Sequence, residues 1–253
     1  MGNSTDNNNN QIDHYRRKFL SSSSTAIAGL VVAPGVLLTE TAQAKPANEA
    51  VTDKKRWGLL VDTNKCGNGC TDCVTACNTE NGLTSNNRPL SDAQWIRKVK
   101  VTDKRTKHSM ELPIMCQHCE TAPCVDVCPT AASFKRADGI VLVDKHLCIG
   151  CRYCMMACPY KARSFVHEVV QNQKPYAPRG KGTVESCTMC VHRVDTDGTP
   201  ACVEACSQKD HNAMLFGDLN DPTSEISKSL KKHGGTQIRA DLGLNQGVFY
   251  QGI

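Results

Sequence analysis

The chain has 253 residues, 30 Lys and Arg against 25 Asp and Glu, and a formal charge of +5, with aromatic residues at only 5 %. Its basic runs, Lys54-Lys55-Arg56, Lys104-Arg105 and Lys231-Lys232, are short and scattered, and few rings are available to stack on bases, so composition argues against nucleic acid. A chain this poor in aromatics but holding 16 cysteines is expected to build its interior around metal rather than around an ordinary apolar core.

From the N-terminus, "YRRKFL" sets Arg16 and Arg17 ahead of an apolar stretch from Ala26 to Leu38, and "AQA" at 42–44 offers small residues for a peptidase. The stretch is diluted by Gly29, Pro34 and Gly35, which weakens it as a membrane span. Residues 1–44 are therefore expected to be a twin-arginine signal peptide that sends the folded chain to the periplasm. A Ser-rich tail with an accidental Arg pair is the alternative, and an uncleaved signal kept as an anchor stays open. Export after folding suits a metal protein, because free thiols in an oxidising compartment risk forming disulfides.

Beyond the signal, "WGLLVD" (57–62) reads as a strand leading into the first cysteine group, Cys66, Cys70, Cys73 and Cys77. Gly67 and Gly69 are able to supply positive φ in its widened opening. Residues 95–101 and 110–115 read as further strands in a cysteine-free segment, 78–115. The second group is Cys116, Cys119, Cys124 and Cys128, where Pro123 is expected to bend the chain back. Strand 139–144 precedes the third group, Cys148, Cys151, Cys154 and Cys158, and strand 163–170 follows it. The fourth group, Cys187, Cys190, Cys202 and Cys206, has a wide gap closed by a turn at 196–200. A strand at 212–217 and a helix at 221–234, with acidic residues early and lysines late, complete the pattern. The last cysteine of each group is expected to open, or lie in, a short helix.

Sixteen cysteines in four groups of four leave none over. Disulfides, structural zinc and iron-sulfur clusters all use cysteines in such numbers. Zinc sites favour two C-x2-C pairs well apart, and the fourth group taken alone has that form. The third group, "CIGCRYCMMACP", is instead C-x2-C-x2-C-x3-C-P, the spacing of bacterial ferredoxins. Iron-sulfur clusters are thus the expectation for all four groups. No G-x-G-x-x-G or phosphate loop is present, and His167-Glu168 lacks the second histidine of a zinc protease motif, so no active site is expected. His118, His146 and His192 lie near cluster cysteines and are read as outer residues rather than ligands. Tyr153, Met155 and Met156 are expected to shield their cluster from water.

The run "CQHCETAPCVDVCPT", followed by "DGIVLVDKHLCIGCRYCMMACPY", closely resembles the four-cluster ferredoxin-like electron-transfer subunits of bacterial respiratory complexes. Together with the export signal, the "YKARSFVHE" continuation and the lengthened "CGNGC" opening, the resemblance is closest to the periplasmic DsrO-type subunit of the transmembrane Dsr complex. The resemblance implies an α+β fold of two ferredoxin-like [4Fe-4S] modules with short strands, helices and long loops, and four [4Fe-4S] clusters. It implies crossed ligation: Cys116, Cys119, Cys124 with Cys158; Cys148, Cys151, Cys154 with Cys128; Cys66, Cys70, Cys73 with Cys206; and Cys187, Cys190, Cys202 with Cys77. The corresponding division is 1–44 signal, 45–115 first group and inserted segment, 116–170 central dicluster module, 171–217 fourth group completing the outer module with 66–77, and 218–253 C-terminal helix and tail.

The expected function is a non-catalytic relay of electrons between a membrane quinone or haem subunit and partner redox proteins in sulfur-compound metabolism. The alternative is the iron-sulfur beta subunit of a molybdopterin oxidoreductase of the polysulfide, tetrathionate or dimethyl sulfoxide reductase type. Implied partners are an integral membrane quinone-interacting subunit and either a multihaem cytochrome c or a molybdopterin subunit. Nucleic acid and small-molecule substrates are not expected. The chain would be membrane-associated through those partners.

Overall fold

The computed structural model describes residues 50–253 apart from Asn68, Pro89, His108, Asn172, Lys209 and Asp210. These residues belong to a unit spanning Ala42–Ile253; the other unit, Met1–Thr41, and the whole expected signal at 1–44 lie outside the described residues. In chain order the elements are β1 (Trp57–Asp62), α1 (Asp72–Asn81), β2 (Ile96–Thr102), β3 (Ser109–Met115), α2 (Pro123–Asp126), β4 (Ser133–Lys135) and β5 (Val141–Val143). They continue with α3 (Tyr153–Ala157), β6 (Ser164–Phe165), β7 (Val184–Glu185), α4 (Val191–Val194), α5 (Ala201–Gln208), β8 (Met214–Asp218), α6 (Glu225–His233), a 3-10 turn at Ala240–Leu242 and β9 (Val248–Gln251).

Strand β1 is the spine. It pairs antiparallel with β8 and parallel with β9, so Leu59 faces Phe216 on one side and Val248 on the other. A central strand covered on both faces reads as a continuous apolar run, as Gly58-Leu59-Leu60-Val61 does. The C-terminal strand is tied in by Tyr250, which is fully buried and donates its hydroxyl to the Pro113 carbonyl at 3.0 Å. Helix α6 packs on β8 through Ile226, and its start is capped by Ser224, whose hydroxyl accepts from the Ser227 amide at 3.2 Å. This is the helix read at 221–234, begun four residues later because Asp221-Pro222-Thr223 forms the turn that precedes the cap.

β2 and β3 form a hairpin in register from Ile96 opposite Met115 out to Thr102 opposite Ser109. Its inner end is buried and its tip is exposed, so the expected strands at 95–101 and 110–115 are present within a residue. The stretch read as strand 163–170 is strand only at Ser164–Phe165. Backbone bonds to Thr183 and Gly182 end at Val166, and residues 167–169 are exposed with no neighbouring strand among the described residues to pair with.

Three local expectations are corrected. Pro123 does not fold the chain back but starts α2 at its first position, where its missing N–H costs nothing. Cys128 and Cys158 do not open helices: Cys158 closes α3 with extended backbone, and Cys128 sits in the turn after α2. Gly69 has φ of +73°, as expected, whereas Gly67 keeps an ordinary φ.

Candidate metal centres

The sixteen cysteines carry no disulfide, and their side chains gather at four places. At the first, Cys66, Cys70, Cys73 and Cys206 line one cavity with Pro113, Met214 and His211. Cys66 enters on the turn that ends β1, and Cys73 stands on the first turn of α1. Lys98, from β2, puts its ammonium 3.0 Å from the Cys66 sulfur and 3.4 Å from Glu111, whose carboxylate also accepts from the Gly69 amide at 3.0 Å. Burial pushes the Cys73 thiol up to about 11, with Lys98 opposing it.

One helical turn further along α1, Cys77 lines a second cavity with Cys187, Cys190 and Cys202, walled by Leu59, Trp95 and Met189. Four residues of helix advance about 6 Å, so Cys73 and Cys77 serve adjacent cavities from one face. Helix α5 repeats this in reverse, with Cys202 in the second cavity and Cys206 in the first. The two helices pack together.

The third and fourth places repeat the crossing through α2 and α3, which also pack together. Cys116, Cys119, Cys124 and Cys158 are all buried and close enough to act on one another electrostatically. Burial pushes the Cys116 and Cys119 thiols up to about 12. Cys128, Cys148, Cys151 and Cys154 line the fourth cavity. There the amides of Ser133 and Val184 donate to the sulfurs of Cys128 and Cys148 at 3.3 and 3.4 Å.

A shared backbone device shapes these loops. The residue before the second cysteine of every group is left-handed: Gly69, His118, Gly150 and Met189 have φ of +73°, +45°, +71° and +55°. Two of the four are not glycine, so the surroundings hold backbone strain at the sites. Gly150 has a second constraint, because a Cβ there would lie 2.1 Å from the Gly182 carbonyl oxygen.

Arg163, 5 % exposed, lies between the third and fourth places. Its Nη2 is 3.1 Å from the Cys124 sulfur, and its charge is felt by Cys116 and Cys154. Its Nε and Nη1 are buried without a protein partner. Of the histidines, His118 accepts the Val141 amide at Nδ1 (3.0 Å), and its burial drives its pKa down to about 3. His192 bonds Glu80 at 2.7 Å, and His146 is exposed. His211, not singled out by its sequence context, is the one brought close to Cys70 and Asp72. Tyr153 and Met156 are exposed rather than folded over the sulfurs, whereas Met155 is half-buried.

The donor sets suit iron-sulfur clusters. Buried thiols held far up their titration range ionise only beside a strong cation, and iron supplies it. Amide donors on sulfur and orphaned guanidinium nitrogens of Arg163 are what a negatively charged sulfur-rich group needs around it. Residues 108–219 match the family described as 4Fe-4S dicluster domain. The Hdr-like menaquinol oxidoreductase iron-sulfur subunit 1 of Archaeoglobus fulgidus is 41 % identical over 262 residues, covering 93 % of this chain and 97 % of that protein. The chain belongs to this family of iron-sulfur electron-transfer subunits. Other relatives are a tetrathionate reductase subunit of Salmonella typhimurium, 34 % identical over 248 residues (96 % and 90 % of the two chains), and a sulfite dehydrogenase subunit of Allochromatium vinosum, 37 % identical over 210 residues (76 % and 81 %). As an iron-sulfur subunit of oxidoreductase complexes, the chain carries [4Fe-4S] clusters. Among the described residues, no helix is long and apolar enough to cross a membrane.

Proposed function

We propose that this chain is a DsrO-type periplasmic relay carrying four [4Fe-4S] clusters, without an active site of its own. The reading rests on one observation: four groups of four sulfurs, each taking three from one cysteine group and one from another. The ligand sets are Cys66, Cys70, Cys73 with Cys206; Cys187, Cys190, Cys202 with Cys77; Cys116, Cys119, Cys124 with Cys158; and Cys148, Cys151, Cys154 with Cys128. The first two sets form the outer module, and the last two the central module at 116–170. Export by the twin-arginine route at 1–44 completes the reading.

In this reading the four clusters form a row, and burial supports an order along it. All four cysteines of the second and third sets are buried, whereas Cys66 and Cys70 of the first and Cys128, Cys148 and Cys151 of the fourth are reached by solvent. The dry sets are the middle of the row, and the wet sets its ends. Each bound cluster supplies a one-electron carrier. Apolar walls such as Leu59, Trp95 and Met189 exclude water, while Lys98 and Arg163 favour the more negative, reduced state.

The partners are a quinone-interacting membrane subunit and further redox proteins of sulfur-compound metabolism. A second reading, the beta subunit of a molybdopterin oxidoreductase, is favoured by the match to the tetrathionate reductase subunit across 96 % of the chain. Purifying the native complex decides: a quinone-site membrane protein with a multihaem cytochrome supports the first, and a molybdopterin subunit the second. Iron and acid-labile sulfide analysis of the anaerobic protein tests the loading, with about sixteen irons expected from four cubanes. A reproducible count near twelve overturns the four-cluster reading.

A further inference from the structure

Cys151 is the one exposed cysteine of the sixteen, and the skin around it is unusual. Leu147, Ile149, Tyr153 and Met156 are 53 %, 67 %, 54 % and 69 % exposed, all within ten residues of chain. Tyr153 and Met156 are three apart on α3 and share a face, and Ile149 sits between two cysteines of the fourth cavity. Large apolar side chains clustered at a surface mark a contact site. Around a solvent-reached sulfur set they also mark where electrons leave or enter.

The rim is cationic. His146, Arg152, Lys161 and Lys181 are exposed, and no Asp or Glu occurs between residues 145 and 163. Lys181 belongs to this rim because the Gly182 carbonyl packs on Gly150. The nearest acid in the sequence, Asp144, is occupied with the amides of His146 and Leu147 at 2.8 and 3.3 Å. Glu185 is buried against Arg179, and Glu168 is paired with Arg88. Asp144 and the exposed Asp126 of α2, which packs against α3, are the acids left on this side among the described residues, and Arg152, Lys161 and Lys181 outnumber them.

We propose that the face formed by Leu147, Ile149, Tyr153 and Met156, ringed by Arg152, Lys161 and Lys181, docks a redox protein whose own electron-transfer centre lies under an apolar patch with an acidic border. The apolar centre excludes water between the two redox groups, and the charged ring steers the encounter. The proposal rests on the relay reading above. One electron passes per productive encounter: the chain is oxidised by one, the partner's centre is reduced by one, and no bond or proton is exchanged.

The test uses the full-length holoprotein, reduced with dithionite and freed of excess, and two one-electron acceptors: plastocyanin, an acidic blue-copper protein, and mitochondrial cytochrome c, a basic haem protein. Plastocyanin is expected to oxidise the chain faster at low salt, with a second-order rate that falls about tenfold or more as salt screens the rim. Lys161→Glu with Lys181→Glu is expected to cost plastocyanin about tenfold and to favour cytochrome c instead. Met156→Glu, at an exposed position on α3, is a separate variant that breaks the apolar centre without touching a left-handed residue. Iron content and cluster absorbance verify that each variant is loaded. Equal rates for both acceptors, or variants indistinguishable from the parent, overturn the proposal while leaving the relay reading intact. Failure of the parent to be reduced and reoxidised reversibly overturns the relay reading itself. Sedimentation with phosphatidylglycerol vesicles that the charge reversal abolishes assigns the face to a lipid surface and overturns it too.

Discussion

The guanidinium Nη2 of Arg163 lies 3.1 Å from the Cys124 sulfur, with the charge of the same group reaching Cys154 of the neighbouring set. On the ligand sets proposed above, one buried cation would serve two redox centres and favour the electron-rich state of each. Arg163→Met keeps the stem and removes the charge. A hydrogen bond to a charged group contributes about 1.5–3 kcal/mol. Only the part of that energy that differs between the two redox states moves a potential, so at about 59 mV per tenfold change in a one-electron equilibrium the reduction potential of the centre at Cys124 should fall by tens of mV and by no more than about 130 mV, with a smaller fall at its neighbour. Redox titration followed by electron paramagnetic resonance measures this, and unchanged potentials would rule out the role assigned to Arg163.

Crossed ligation makes a sharper demand. Cys158→Ser should damage the centre of Cys116, Cys119 and Cys124, converting it to a three-iron form or shifting its potential. The centre of Cys128, Cys148, Cys151 and Cys154 keeps all its thiols. Site-resolved spectroscopy separates the two. Damage confined to the latter centre would mean that each group closes on itself.

Gly150, which lines the fourth cavity, packs against Gly182, and the two offer an internal comparison. Both have positive φ, +71° and +84°, yet a Cβ on Gly150 meets the Gly182 oxygen at 2.1 Å, while one on Gly182 meets nothing within 4 Å. Gly182→Ala should cost about 1–2 kcal/mol of backbone strain. Gly150→Ala adds a backbone collision and should lose the fourth centre, read as missing iron and a lower melting temperature. Equal effects from the two would show that the close approach is unimportant.

Glu80, at the end of α1, accepts from Arg193 and from His192, both at 2.7 Å. The Arg193 hydrogen bond is the largest cause holding its carboxyl below the usual range, with burial opposing it. A depressed folded pKa means that the stabilisation is present above the ordinary carboxylate pKa of 4.5 and is lost as pH falls through the folded value. Glu80→Gln should therefore lower the denaturation midpoint at pH 7, and the gap from the parent should close as pH falls below 4.5. A gap that stays constant with pH would remove this ion pair from the account.

Export is tested at the other end of the chain. Replacing Arg16 and Arg17 with lysines should leave the folded protein in the cytoplasm, since a metal-bearing domain cannot be threaded unfolded without losing its metal. Fractionation of cells shows where it accumulates, and normal periplasmic amounts would count against the twin-arginine route.

Much of this molecule is legible because cysteine spacing is a local signal. The quartets, β1 and the β2–β3 hairpin all follow from short windows of sequence. Lys98 and Arg163 were not legible, because their partners are the Cys66 and Cys124 sulfurs, brought close only by folding. Strand β9 was missed for the same reason: "VFYQ" is short, and its strand state comes from parallel pairing with β1. Tyr153 and Met156 were misread because an apolar side chain beside a metal site suggests cover, whereas α3 turns them outward. The chain leaves α3 at Cys158 in extended form, as residues before proline prefer, a stop signal that the cysteine spacing does not carry.

The exchange of cysteines between α1 and α5 bears on how the protein is made. The cavity entered by Cys66, Cys70 and Cys73 lacks its fourth sulfur until residue 206 has been synthesised, and the one entered by Cys187, Cys190 and Cys202 needs Cys77 from near the start. The central pair, by contrast, draws all its cysteines from residues 116–158. On the ligand sets proposed above, the thiols of the central pair are all synthesised by residue 158, whereas those of the outer pair are complete only at residue 206.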